Sequence, residues 1–483
     1  MILRNKMAIK FGTDGWRGII ADDFTFDHLR QVAQAHATVL KAKGGRKIAI
    51  GYDTRFLAAE FAQAVAEVFA SNGFEVVLAA NFCPTPALSL MVKKLKADAG
   101  VMITASHNPY CYHGYKVKTH FGGPADSSLI KAIEARLGQE KVKRGVKSWQ
   151  EEDFNQAYLQ ELKNYFSPQI FQKHSFTIVH DAMFGASQGL LKQILTPSSL
   201  KVIEINQQRD AFFGFHSPEP IEKNLTSLKK AVIAHKAHLG LAQDGDGDRL
   251  GLVDHLGQFI NPQLTYVLLL LATLRQRKVK GAIVKTVSVS YLVDRIAQKE
   301  KRKLYQTSVG FKHTAPLFLK EKIAFAGEES GGYSFGFHLP ERDGLLAGLI
   351  LLELVVLSQK TLPELIEAVF REFGPAYYLR QDLHLTPEQA QALIAQLKKE
   401  SLKEIAGFRI KKREILDGVK FVFQNDGWLL FRASGTEPLL RIYAEMPSQE
   451  AVQKVLEAGK LLEQNQGTWK RSSYSDQAKR RAG

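Results

Sequence analysis

The sequence predicts an α/β protein of several domains, and three observations carry that prediction. Short apolar runs of strand length alternate with longer helical stretches up to about residue 357, the pattern of parallel sheets with crossover helices. Glycine-rich or polar loops follow many of these strands, at the sheet edge where open α/β folds bind ligands. In the last block the pattern changes: helices at 363–372 and 387–400 flank strands at 377–384 and 419–424, followed by a strand, a loop and a strand. That block reads as a separate α+β unit.

Composition sets the outer limits. A chain of 483 residues is long enough for three or four domains, and 45% hydrophobic with 24% charged residues is an ordinary globular balance. Charges interrupt the opening MILRNKMAIK before a signal-peptide core can form, so no export is expected. The apolar runs 264–274 and 345–357 are too short to span a bilayer, and the second contains Glu353; both are expected as buried helices, with no membrane partner. Two cysteines, Cys83 and Cys111, imply neither a disulfide framework nor a zinc site, and they fit a reducing cytoplasm. The net charge of +16, from 65 Lys and Arg against 49 Asp and Glu, favours anionic partners, either nucleic acid or phosphorylated metabolites, unless it only keeps the surface soluble. No RNA-recognition or zinc-finger motif is present, and basic residues are scattered rather than interleaved with aromatics, which argues against nucleic acid. Part of the excess lies in residues 467–483, expected as a basic, mobile tail.

Along the chain, Gly12, Asp14, Gly15 and Gly18 surround Trp16 and Arg17 in an expected tight loop. A helix at 26–43 and a strand at 47–51 follow, then Asp53 and Arg55, an alanine-rich helix to residue 71, a strand at 75–79 and the turn CPTPA. The apolar strand 100–103 gives way at Thr104 to Ser106, His107, Asn108 and Pro109, with Gly114 and Lys116 beyond. A serine so placed can carry phosphate or attack an ester, but Ser, Asn and Pro are also ordinary turn residues. The polar stretch 140–163 is expected to be helical. A strand at 175–180 then leads to GASQG, which has the G-x-S-x-G form of a hydrolase nucleophile elbow around Ser187. No HGGG-like oxyanion segment accompanies it, so a packing turn is the expectation and an esterase the rival.

The strand LGLAQ opens onto DGDGDR at 244–249, and LGLVD follows. Residues two apart on extended backbone point the same way, which brings Asp244, Asp246 and Asp248 together. Three carboxylates ~5 Å apart repel by about 3 kcal/mol per pair at an effective dielectric of ~20, so a cation is expected. Oxygen-only donors with room for a phosphate oxygen favour Mg²⁺. An EF-hand is excluded, because Arg249 stands at its glycine position and His255 at its bidentate glutamate. An acidic hairpin turn is the plain alternative.

Farther on lie a strand at 281–287 with Lys285, the segment TSVGFKH with Lys312 and His313, and a strand at 323–326. GEESGG follows at 327–332, where Glu328 and Ser330 can hydrogen-bond vicinal sugar hydroxyls. RASGTEP at 432–438 offers the Arg432 guanidinium, the hydroxyls of Ser434 and Thr436, and backbone amides near Gly435, which together make an anion cradle. Arg441 lies on the strand beyond it.

Taken together, TASHNP, DGDGDR, GEESGG and RASGTEP resemble, in order, the phosphoserine, metal, sugar and phosphate loops of the α-D-phosphohexomutase superfamily of phosphoglucomutases and phosphomannomutases. The resemblance spans nearly the whole chain and implies four domains around a central cleft: three similar α/β domains with mixed sheets and a C-terminal α+β domain. Their expected limits are 1–155, 156–255, 256–372 and 373–466. It further implies that Ser106 is the phosphoserine and completes an Mg²⁺ site with Asp244, Asp246 and Asp248. Lys116 would be the general acid/base, with His107 as the alternative, and Arg17, His107 and Arg249 would stabilise the transferring phosphate. A lysine in that role needs a lowered pKa. Glu328, Ser330, Lys285, His313, Arg432, Ser434, Gly435, Thr436 and Arg441 would bind a phosphorylated hexose, with glucose 1,6-bisphosphate as activator and intermediate.

Tyr110, Cys111 and His113 depart from the family's usual residues after SHNP. Glu329 and Gly332 depart from the GEQSGH of phosphoglucosamine mutases and the GEMSGH of dual-specificity phosphomannomutases, and this favours glucose phosphates. Phosphomannomutase, phosphoglucosamine mutase and sugar-1,6-bisphosphate synthase are the rivals on the same scaffold. A monomer or homodimer is expected.

Overall fold

A computed structural model describes residues 9–12, 14–166, 168–172, 175–196, 198–433 and 439–464; the tail expected at 467–483 lies outside them. The chain divides into two compact units, Met1–Val284 with Gly310–Leu365, and Lys285–Val309 with Ile366–Gly483.

The first unit opens with a six-stranded sheet of β1 (Trp16–Ile19), β2 (Lys47–Tyr52), β3 (Glu75–Ala79), β4 (Ala99–Ile103), β5 (Tyr112–Thr119) and β6 (Gln150–Glu152), in the order β1-β5-β4-β2-β3-β6. β4 is wholly buried and β2 nearly so, as strands covered on both faces must be, and helices Ala58–Ser71 and Thr85–Lys94 both pack on β2. The pairs β4–β2, β2–β3 and β3–β6 are parallel, as the alternation predicts, but β5 runs antiparallel to both β4 and β1. The segment joining β4 to β5 is too short for a crossover, so the chain must turn straight back. The sheet is therefore mixed. The expected helix at 140–163 also shortens: the backbone reaches β6 without helix, and only Phe154–Lys163 is helical, started by the Asp153 side chain accepting from Gln156 N.

The same device recurs. The second sheet has β7 (Thr177–Asp181), β8 (Lys201–Ile205), β9 (Leu239–Gln243), β10 (Leu250–Asp254) and β11 (Phe259–Ile260), in the order β11-β10-β9-β7-β8. Parallel β8, β7 and β9 give way to an antiparallel β9–β10 pair. Two more strands, β12 (Ala282–Thr286) and β13 (Leu304–Thr307), precede β14 (Ile323–Gly327) and β15 (Tyr333–Phe335), which pair antiparallel. The apolar runs form the helices Pro262–Leu271 and Gly344–Ser358, both largely buried. No single helix among the described residues is long and apolar enough to cross a membrane.

The second unit's sheet is antiparallel throughout, built from β16 (Tyr377–His384), β17 (Glu404–Ile405), β18 (Phe408–Glu414), β19 (Val419–Phe423), β20 (Trp428–Ala433) and β21 (Leu439–Met446), in the order β16-β21-β20-β19-β18-β17. Helix Pro387–Lys399 packs on β20 and helix Gln449–Gln464 on β21, enclosing a core that includes Leu393, Phe431, Ile442 and Val455. The first of these helices starts with a reciprocal cap between Thr386 and Gln389.

Within this unit Lys420 of β19 is buried, donates to the carbonyl of Val287 at 2.7 Å, and lies 4.2 Å from the Trp428 ring centroid. Burial, reinforced by Lys285, pushes its amine down to about 7, against the opposing pull of Glu414, Asp294 and Glu445. Between that value and the unfolded-chain value near ~10.4, the unfolded chain binds the extra proton, so this residue makes stability rise with pH. Thermal unfolding at pH 7 and pH 10 should show the wild type gaining stability over that interval relative to Lys420→Met; parallel curves would contradict the burial argument.

Candidate active site

Ser106 stands just beyond β4, buried, with a left-handed φ of 52° that a residue with a Cβ rarely adopts. Its Oγ donates to Asp244 Oδ2 at 2.8 Å and lies 3.4 Å from His107 Nδ1, and its amide donates to Thr104 Oγ1 at 2.8 Å. Such close approach needs a glycine across from it: a Cβ on Gly245 would lie 2.5 Å from the Ser106 carbonyl oxygen.

Asp244, Asp246 and Asp248 occupy the turn between β9 and β10, and each offers an oxygen within 4.8 Å of the others'. They converge because the backbone turns, with Gly247 at φ 73°, and not because the segment is extended as expected. All three are fully buried. Lys116 of β5 supplies compensating charge, with Nζ 2.7 Å from Asp246 Oδ2, 3.0 Å from Asp248 Oδ2 and 3.1 Å from Asp14 Oδ2. Thr85, from the CPTPA turn, donates to Asp246 Oδ2 at 2.5 Å. Asp246 Oδ1 and Asp248 Oδ1 remain buried without a hydrogen-bond partner among the described residues. Two orphaned carboxylate oxygens beside a third aspartate and a serine hydroxyl fit a hard divalent cation.

The electrostatics separate the two acid/base candidates. Burial alone would depress Lys116, but Asp14, Asp246 and Asp248 more than reverse it and hold the ammonium well above its ordinary range. The lowered pKa expected of a lysine base is therefore not what the structure shows. His107 is held below its ordinary range by desolvation and then by Arg249, Arg17 and Lys116. Asp244, without the lysine contact its two neighbours make, is pushed up by burial and by Asp248 and Asp246. Arg17 donates to Asn108 Oδ1, while Arg249 gives its amide to Asp244 Oδ1 at 3.0 Å and its Nη1 to Glu219 at 3.5 Å.

The GEESGG loop connects β14 to β15. Glu328 is buried, accepting from Gly310 N at 2.8 Å and from Arg342 Nη1 at 3.4 Å; Ser330 is half-buried. Arg342 ties this loop to the aspartate turn, since its Nη2 reaches Asp248 Oδ2 at 2.7 Å and Asp14 Oδ2 at 2.9 Å. It also fills the space beside Gly332, where a Cβ would meet Arg342 Cδ at 2.3 Å. His313 is exposed on the short helix Phe311–Thr314.

In the second unit, Lys285 is paired with Asp294 and lines a cavity of about 230 Å³ with Lys420 and Trp428. Arg432 of β20 and Arg441 of β21 are direct cross-strand partners, compensated by Asp417 at 2.9 Å and Asp382 at 3.8 Å respectively. Ser434, Gly435 and Thr436 lie outside the described residues.

The structure thus gathers Ser106, His107, Lys116, Arg17, Arg249 and the three aspartates around the turns that follow β4 and β9. Ser187 is not exposed on an elbow: it is buried in a turn whose Ala186 amide donates to Gly245 O, bracing the aspartate loop. Asp14, Thr85, Arg342 and Arg55 had no assigned role in the sequence reading. The available signal was charge in apolar company, as in ERDG before the buried helix Gly344–Ser358.

Comparison with known proteins agrees with this geometry. The chain matches the four phosphoglucomutase/phosphomannomutase domain families: alpha/beta/alpha domain I over residues 8–144, domain II over 156–257, domain III over 263–373, and the C-terminal domain over 388–459. It is 33% identical over 467 residues to a phosphoglucomutase/phosphomannomutase of Thermococcus kodakarensis, covering 95% of this chain and 99% of the relative. To a protein of Methanobrevibacter smithii described as a probable phosphoglucosamine mutase it is 30% identical, covering 95% and 100%. A crystal structure from Thermus thermophilus, described as that of a phosphomannomutase, superposes with a TM-score of 0.85 at 37% identity, covering 95% of this chain and 99% of that one. Three α/β domains and a C-terminal domain carrying these loops define a phosphohexomutase, an enzyme that moves phosphate within a hexose phosphate. The chain belongs to the phosphoglucomutase/phosphomannomutase family.

Removing Lys116 leaves buried carboxylates facing one another, and losing one partner of a buried pair costs about 3–5 kcal/mol. Lys116→Met should therefore melt well below the wild type in EDTA, and added Mg²⁺ should recover more stability for the variant than for the wild type. Equal shifts with and without the ion would show that Lys116 does not neutralise this cluster.

Proposed function

We propose that the protein is a phosphoglucomutase that interconverts glucose 1-phosphate and glucose 6-phosphate through a phosphorylated Ser106 and glucose 1,6-bisphosphate. The observation that carries this reading is the placement of Ser106 Oγ, buried and hydrogen-bonded to the first of three clustered aspartates. Asp244, Asp246, Asp248 and an oxygen on Ser106 would hold Mg²⁺, which when bound supplies positive charge to the phosphoryl oxygens.

The chain's own residues divide the remaining work. The bond between phosphorus and Ser106 Oγ breaks as a new bond forms to a sugar hydroxyl, and the hydroxyl's proton ends on Oγ. His107 Nδ1, 3.4 Å from Oγ, or Lys116, hydrogen-bonded to Asp246 and Asp248, would relay that proton. Arg17 and Arg249 bring guanidinium charge to the transferring group. Glu328 and Ser330 hold sugar hydroxyls, and Lys285, His313, Arg432, Ser434, Gly435, Thr436 and Arg441 receive the phosphate that is not transferred. A phosphate dianion between Arg432 and Arg441 would add to Asp417 and Asp382 in balancing two like charges that face one another on neighbouring strands.

The preference for glucose rests on the sugar loop. A histidine at position 332, as in the glucosamine and dual-specificity patterns, is incompatible with Arg342 where it lies. Initial rates with glucose, mannose and glucosamine 1-phosphates, each primed with its bisphosphate, test the choice. Faster turnover of mannose or glucosamine phosphate would transfer the assignment to that sugar. Mass spectrometry of the purified protein should find phosphate on the Ser106 peptide, and Ser106→Ala should lose at least ~1,000-fold in kcat, consistent with loss of a nucleophile. Chelation should abolish turnover and Mg²⁺ restore it.

A further inference from the structure

We propose that Arg55 is the positioning residue for the phosphate-carrying serine: its guanidinium sets the conformation of the loop between β4 and β5 and so aims Ser106 Oγ. The inference rests on the reading of Ser106 given above. Arg55 is fully buried, and all five of its N–H groups are spent on this one task. Nη2 donates to the carbonyls of Ser106 and Asn108, both at 2.7 Å. Nη1 donates to those of Pro109 at 2.9 Å and Tyr112 at 3.0 Å. Nε donates to Asp53 Oδ2 at 3.2 Å, and the same oxygen accepts from Thr104 Oγ1 at 2.6 Å, so the first residue beyond β4 and the arginine share one anchor. The Phe213 ring lies 4.9 Å from the guanidinium carbon.

Four carbonyls converging on one cation is an arrangement the loop does not reach by itself. Ser106 has a left-handed backbone, and its carbonyl is fixed on one side by Arg55 and approached on the other by Gly245. A guanidinium with every N–H engaged has none left for a substrate phosphate, which separates Arg55 in kind from an arginine that binds ligand. Lysine cannot replace it, because a single ammonium has three donors and no planar fork.

The test uses the full-length protein. Arg55→Lys, shown to be folded by its melting curve, is expected to lose about 100-fold in kcat, the loss typical of a reacting group misplaced by an ångström, with KM changed less than about threefold. Loading of phosphate onto Ser106 from glucose 1,6-bisphosphate, followed by mass spectrometry, should slow in parallel. For Arg55→Ala, guanidinium ion at tens of millimolar should restore at least about tenfold in kcat while leaving the wild type unchanged, a rescue that generic stabilisation does not give. If the Arg55 variants fail to fold, Asp53→Asn, which loosens the anchor and keeps the arginine, should lower kcat and phosphate loading at constant KM. A folded Arg55→Lys, or failing that Asp53→Asn, with wild-type kcat and loading would overturn the proposal. Absence of phosphate on Ser106 in actively turning-over wild type would instead overturn the reading of Ser106 itself.

Discussion

Three carboxylates cannot stay buried within 4.8 Å of one another without positive charge beside them, and much of the first unit is arranged to supply it. The compensation comes from distant parts of the chain. Lys116 arrives on β5, Arg342 on the segment after β15, and Asp14, ahead of β1, binds both. A second buried pair, Lys118 with Glu341, runs alongside and joins the same two segments. Buried pairs of this kind add little net stability, but removing one partner is costly, so they specify which segments must meet. The segment from β5, the aspartate turn and the GEESGG loop are brought into register by charge balance as well as by apolar packing.

Three of the motif loops share one structural form. Each joins two hydrogen-bonded antiparallel strands: β4 to β5, β9 to β10, and β14 to β15. In the first two cases the leading strand also has a parallel neighbour, so the loop lies at the carboxyl edge of the parallel part of the sheet, where such folds place their chemistry. The return strand then brings a second set of side chains to the same edge, and Lys116 is the clearest example.

What was legible in the sequence followed from local pattern. The buried strands, the apolar helices and the grouping of the three aspartates could be read because their residues lie close together and the residue types are restrictive, whereas Ser106, 138 residues from Asp244, was joined to them only through the family resemblance. Mixed sheets were implied by the resemblance and LGLVD was read as a strand, but β5 was not, because YHGYKVKT mixes polar and apolar residues and its two lysines are buried only through the acids they meet. Arg55 and Arg342 were passed over for the same reason. Arg55 meets Pro109 and Tyr112, and Arg342 meets Asp14 and Asp248, all more than 50 residues away in sequence, and nothing in their own neighbourhood announces those contacts. The aspartates came together as expected, but through a turn and not through strand alternation, so the correct grouping came from an incorrect geometry.

Gly332 and Arg342 occupy one another's space, since a β-carbon on the first would collide with the side chain of the second. Position 332 is therefore closed to larger residues while Arg342 keeps its place, although the backbone there is free of left-handed strain. A lineage acquiring a histidine at 332 would first have to shorten or displace the arginine, and so give up a bridge between the GEESGG loop and the aspartate turn. The order of substitutions is thereby constrained: position 332 is reachable by paired change, and resistant to drift one residue at a time.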